Sequence, residues 1–199
     1  MHGKIITLIQ FADKGKVNLN LNRNNIMDIN QYLTALNANT DSVLELVGKY
    51  TPDEILFKNS GECSIADLLE HICISDERTI ALLQSKSIYT AETAELYGDE
   101  KLKKIVVDYK DGPKITENEI KELKGAVKDF SSFEKVFSFQ RNLLNDSLKS
   151  GQIAVTNQTY DHMYLKAMTV SDWLKYVIYH TTRHVNDIKD SELAFKKLV

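Results

Sequence analysis

The chain is poor in the residues that staple, break or loosen a fold: of 199 residues, two are cysteine, two proline and eight glycine. Two cysteines cannot form a disulfide framework, and Cys63 and Cys73, ten residues apart across one expected helix start, lie too far apart to bridge. Reduced thiols fit the cytoplasm. So little proline and glycine speaks against a loop-rich or many-stranded fold. No glycine falls in a G-x-G-x-x-G, G-x-x-x-x-G-K or G-x-S-x-G spacing, so the dinucleotide, P-loop and serine-hydrolase readings lose their support. A basic surplus is also missing: 25 Lys and Arg stand against 28 Asp and Glu, for a formal charge of −3, and nothing drives the chain toward nucleic acid or anionic lipid. No apolar run approaches the roughly 18 residues of a membrane span. The short patch from Ile5 to Ile9 is followed at once by Asp13 and Lys14, which makes a poor secretory signal. The expectation is a cytoplasmic chain with neither a membrane nor a nucleic-acid partner.

What the sequence does contain is helix punctuation. A short polar cap with an acid or amide three residues later occurs at Asp28 with Gln31, Thr51 with Glu54, Ser64 with Asp67, Thr116 with Glu119, and Thr169 with Asp172. Apolar residues follow at helical spacing. They predict helix one over residues 29–49, a short helix from Pro52 through Leu56, and helix two after Ser64 along Leu68, Leu69, Ile72 and Leu83. Helix three follows Thr116 along Ile120, Leu123, Val127, Phe133, Phe137, Leu144 and Leu148, with a bend near Ser131 and Ser132. Helix four follows Thr169 along Trp173, Leu174, Val177, Thr181, Val185 and Ile188.

Two long connections remain. Residues 86–115 contain a short helix candidate from Asp99 to Tyr109 and an Asp111-Gly112-Pro113 turn, and residues 151–168 contain Asp161-His162. The fold class is therefore all-α: one four-helix bundle over residues 27–199 with two long crossover connections. Residues 1–26 stand apart as an N-terminal extension. Val17, Leu19 and Leu21 alternate with asparagines and could pair with Lys4 to Phe11 as a docked hairpin, or the segment stays disordered.

Chemistry concentrates on helix four. His180 and His184, four positions apart, are offset by about 40° and one helical turn, so both imidazoles leave one face and can reach one metal ion. That face is the row Trp173, Val177, His180, His184, Ile188, which points into the bundle. A pair of core histidines satisfied by their neighbours is the competing reading. His71, on the Leu68–Ile72 side of helix two, can converge with the pair. Three nitrogens with open positions suit zinc, nickel or iron.

The segments Cys63-Ser64-Ile65-Ala66-Asp67-Leu68-Leu69-Glu70-His71 and Met168-Thr169-Val170-Ser171-Asp172-Trp173-Leu174, the latter running into His180-Thr181-Thr182-Arg183-His184, resemble the DinB/YfiT-like superfamily of bacterial four-helix-bundle metalloproteins. The resemblance covers about residues 28 to 190. It implies His71, His180 and His184 as the three metal ligands, and Gln140-Arg141-Asn142 looks like the arginine-bearing part of the family's third helix. One departure is Cys63-Ser64 where the family usually has Trp-Ser. The resemblance further implies a metal-dependent, thiol-dependent transferase or a hydrolase acting on a small electrophilic substrate, with a divalent metal ion and a low-molecular-weight thiol as cofactors, and a homodimer. The rival is a non-catalytic metal-binding or dimeric stress-related bundle. His162 is the additional catalytic candidate, paired with Asp161 at the mouth of the site, against the plain reading of a surface-loop histidine. Glu77 is a candidate to support a ligand, against solvated helix charge, and Tyr160, Tyr164, Tyr176 and Tyr179 are either packing or substrate-binding aromatics.

Overall fold

A computed structural model describes residues 27–58, 62–108 and 115–196. The expectations for residues 1–26 and for the Asp111-Gly112-Pro113 turn lie outside these residues. The described chain is mostly helical: α1 (Ile29–Val47), α2 (Pro52–Leu56), α3 (Ile65–Gln84), α4 (Asp99–Val106), α5 (Glu117–Ile120), α6 (Phe130–Lys149), the strands β1 (Thr159–His162) and β2 (Lys166–Thr169), and α7 (Val170–Lys196). No described helix is long and apolar enough to cross a membrane.

The caps act where the sequence places them. Thr51 with Glu54, Ser64 with Asp67 and Thr116 with Glu119 each form reciprocal boxes, in which the hydroxyl accepts from the third amide and the carboxylate accepts from the cap amide. Asp28 accepts from the amides of Asn30 and Gln31. At the start of α7, Thr169 Oγ1 accepts from Asp172 N at 3.3 Å, and Asp172 Oδ2 accepts from Thr169 N at 3.1 Å. The buried Asp172 carboxylate also receives the amides of Leu96 and Tyr97, at 2.9 and 3.2 Å, and so ties the connection before α4 to α7.

The expected third helix from Thr116 to Leu148 is two helices. The helix begun by the Thr116 box stops after Ile120, and Gly125 adopts φ 67°, a left-handed conformation that costs a residue without Cβ little. A box the sequence reading did not mark then starts α6: Asp129 Oδ1 accepts from Ser132 N at 2.7 Å, and Ser132 Oγ accepts from Asp129 N at 3.1 Å. Ser132 is a helix-start residue rather than a bend. The second connection holds an antiparallel hairpin, with Tyr160 opposite Met168 and His162 opposite Lys166.

The four long helices close a ring: α1 packs on α6, α6 on α3, α3 on α7, and α7 on α1. Inside the ring the apolar side chains form two clusters. One gathers Leu36, Leu83, Leu144 and Leu174 with Leu102 of α4 and Met168 of β2; the other gathers Val47, Leu69, Ile72, Phe133, Phe137 and Ile188 with Ile55 of α2. Between them lies a buried polar layer to which α3 gives His71 and Asp76, α6 gives Gln140 and Arg141, and α7 gives His180, Thr181 and His184. The candidate site is part of this waist.

Candidate metal centre

The Ser64 box fixes the phase of α3 so that His71 falls on its buried face, and the Thr169 box does the same for His180 and His184 on α7. Packing of α3 on α7 then brings the three rings together. His180 Nε2 lies 3.1 Å from His71 Nε2 and 3.1 Å from His184 Nε2, and all three donor atoms lie within 4.8 Å of one another. The rings meet at centroid distances of 4.5 to 5.0 Å. The side chains are 7%, 7% and 2% exposed, which removes the solvent that would stabilise a charged imidazole. Burial, with help from the neighbouring His184, pushes His71 down to about 4, and burial together with the other two rings holds His180 well below its ordinary value.

Three neutral imidazoles at this spacing suit a cation better than they suit one another. A proton on His180 Nε2 can serve only one of its two neighbours, whereas a cation accepts a lone pair from all three. Metal–nitrogen bonds of zinc length at tetrahedral angles place donor atoms about 3.3 Å apart, close to the contacts here. His184 Nδ1 lies 3.0 Å from Asp187 Oδ2, one helical turn on; the carboxylate accepts the Nδ1 proton, which leaves the Nε2 lone pair facing the other rings. His180 Nδ1 is buried without a hydrogen-bond partner. His71, His180 and His184 could therefore hold one divalent metal ion.

A cavity of about 270 Å³ opens beside His71 and His180, and its walls include Arg78, Glu119, His162 and Tyr176. The Tyr176 ring stacks on His180 at 5.1 Å and meets the ring of His162 in an edge contact at 4.8 Å. Asp161 lines this cavity, and so does His162. Its Nδ1 accepts from the amides of Tyr164 and Leu165, both at 3.2 Å, which places the ring proton on Nε2. Burial pushes this histidine down to about 4.

Other candidates fall elsewhere. Glu77 is exposed, and the carboxylate that supports a site histidine is Asp187. Cys63 packs against the cluster around Phe133 and Phe137, and is not in the three-histidine group. Of the tyrosines, Tyr176 and Tyr164 both line the cavity, Tyr164 as an exposed residue of the hairpin turn, whereas Tyr160 Oη donates to Ser85 O and Tyr179 Oη donates to Asp99.

Sequence reasoning missed Glu119 as a cavity residue and Asp76 as a core residue. Glu119 was visible as the acidic half of the Thr116 box, but a broken third helix was needed to swing it over α3. Asp76 sits at a buried position five residues after His71, where its ion-pair partner Arg141 comes from α6. Its core position on the α3 stripe was the available signal.

Comparison with curated proteins and with solved structures gives no match. The profile of one family does match, over residues 35–188, a span that holds all three histidines and Arg141. By that match, over most of its length, this chain belongs to the DinB superfamily.

Proposed function

We propose that the chain is a metal-dependent enzyme in which His71, His180 and His184 hold one divalent cation, zinc, nickel or iron, beside a cavity that admits a small electrophilic substrate and a low-molecular-weight thiol. The observation that carries this reading is the convergence of three buried Nε2 atoms through 3.1 Å contacts, with two of the rings, His71 and His180, lining a cavity of about 270 Å³. When bound, such a cation supplies Lewis acidity that lowers the pKa of a thiol or a water on its open side, which serves transfer in the first case and hydrolysis in the second.

The chain's own residues supply orientation. Asp187 keeps the Nδ1 proton of His184 and so fixes which ring nitrogen faces the centre. Tyr176 and Trp173 line the cavity wall and limit the water around the reacting atoms. His162 keeps its proton on Nε2 and donates it to substrate oxygen or sulfur where negative charge develops, acting as a hydrogen-bond donor rather than as a base.

In this reading α1, α3, α6 and α7 are the family's four-helix bundle, and residues 27–199 form its domain, with residues 1–26 an extension from it. The enzyme works in the cytoplasm. A homodimer is supported by the exposed row Val136, Phe139 and Leu143 on one face of α6.

The test is elemental analysis of the chain purified without chelator or histidine tag, beside His180→Ala prepared identically. About one metal ion per chain, lost in the variant, is the expected result. A parent chain that retains no zinc, nickel or iron after each is offered and the excess removed overturns the proposal and favours a non-catalytic binding protein.

A further inference from the structure

We infer that Glu119 supplies, from across the cavity and without being a ligand, the negative charge that balances a cation on the three histidines. The inference rests on the metal reading above. Neutral imidazoles bring no charge of their own, so a dication among them keeps its full charge unless acids nearby offset it. Asp187 lies behind His184; Glu119 lies on the open side, in the wall of the cavity that His71 and His180 also line.

The chain builds a support for this carboxylate. Thr116 N and Thr116 Oγ1 both donate to Glu119 Oε2, at 2.8 and 2.7 Å, which fixes the side chain. The segment that carries it is clamped to α3 at two points. Glu70, next to His71, accepts the amides of Lys124 and Ala126 at 2.6 and 2.9 Å, and Arg78 Nη1 meets Glu122 Oε2 at 2.7 Å. The second clamp engages Arg78, the cation of the cavity wall, with Glu122 rather than with Glu119. Burial pushes the Glu119 carboxyl up, but the Thr116 bonds outweigh it and hold it below its ordinary value, so it stays charged at neutral pH. The same charge acts on His162 and Tyr176.

The experiment measures zinc affinity of the full chain by competition with a chromophoric chelator. Glu119→Gln removes the charge yet keeps an amide oxygen that can complete the Thr116 box, so its helix content and melting without zinc should match the parent. Its zinc affinity should fall about tenfold or more, as for other groups that act through the ligands. Thr116→Ala breaks the cap and keeps the charge, and its zinc affinity should stay close to the parent's. A Glu119→Gln chain that binds zinc like the parent overturns the inference. So does a Thr116→Ala chain weakened as much as Glu119→Gln, because the contribution would then be the shape of α5. His184→Ala separates the two readings: if it loses zinc while Glu119→Gln does not, only this inference falls, and if it binds like the parent, the metal reading falls and takes this inference with it.

Discussion

Arg141 of α6 and Asp76 of α3 meet in the centre of the fold, with Nε 2.8 Å from Oδ2 and side chains only 4% and 3% exposed. The guanidinium also donates to Thr181 Oγ1 at 2.6 Å and to Asn39 Oδ1 at 3.3 Å, so one side chain links all four long helices through its partners. Burial outweighs the attraction of Arg141 and pushes the Asp76 carboxyl up to about 6.

The two halves of this pair differ in what they can do when left alone. Arg141 cannot shed its charge, so Asp76→Asn should cost about 3–5 kcal/mol, with little dependence on pH. Asp76 can take up a proton, and without Arg141 its folded pKa rises further above the unfolded value. Stability of Arg141→Met should therefore be greatest in acid and fall by up to about 1.4 kcal/mol per pH unit as pH rises toward that folded pKa. Denaturant unfolding of both variants at pH 5 and pH 8 checks this; equal pH slopes would contradict it.

Acid should open the hairpin through His162. Its pKa drops from an ordinary 6.5 to about 4 on folding, chiefly by burial. The unfolded state thus binds the extra proton first, and the stabilisation present above 6.5 is lost as pH falls through about 4. A proton on Nδ1 also ends its acceptance of the Tyr164 and Leu165 amides. The single tryptophan, Trp173, lies 5.2 Å from the His162 ring and donates from Nε1 to Tyr160 O, so its fluorescence should titrate in this window. His162→Asn should abolish the titration, and its persistence there would assign it to another group.

Removal of the Glu70 carboxylate should loosen the segment between α5 and α6. Two amides lose a charged acceptor in Glu70→Ala, a loss of about 1.5–3 kcal/mol for each bond made to a charged group. Hydrogen exchange at Lys124 and Ala126 should speed up well before global unfolding, while amides in the middle of α7 stay protected. Unchanged exchange at the two amides would show that other contacts hold the segment.

Much of this was legible in the sequence because helix starts and buried faces are local signals. Ser64, Thr116 and Thr169 announced their helices, and the row through Val177, His180 and His184 faced inward as its spacing requires. The hairpin was not legible for a physical reason. Its turn, Met163-Tyr164-Leu165, has no glycine, proline or asparagine, and Lys166 carries a φ of 62°. What holds the turn is distant: Tyr97 Oη donates to Leu165 O, and Ser87 Oγ donates to Thr159 O. The break before α6 was hidden differently, since Leu123 and Val127 continue the apolar spacing although the backbone leaves the helix. Which nitrogens and carboxylates share the waist depends on how α3, α6 and α7 align, a long-range outcome that no short stretch encodes.

The polar waist has a bearing on cooperativity. Each apolar cluster draws on α1, α3, α6 and α7, yet the clusters meet across polar side chains, so little dispersion energy joins one end of the molecule to the other. The ends are coupled by helices that run through both, such as the 27-residue α7, and by the contacts of Arg141 with Thr181 and of His71 with His180. Whatever binds the imidazoles grips two of those helices at the seam. It thereby makes one melting unit of two half-cores and carries its own occupancy to amides at both ends of the fold.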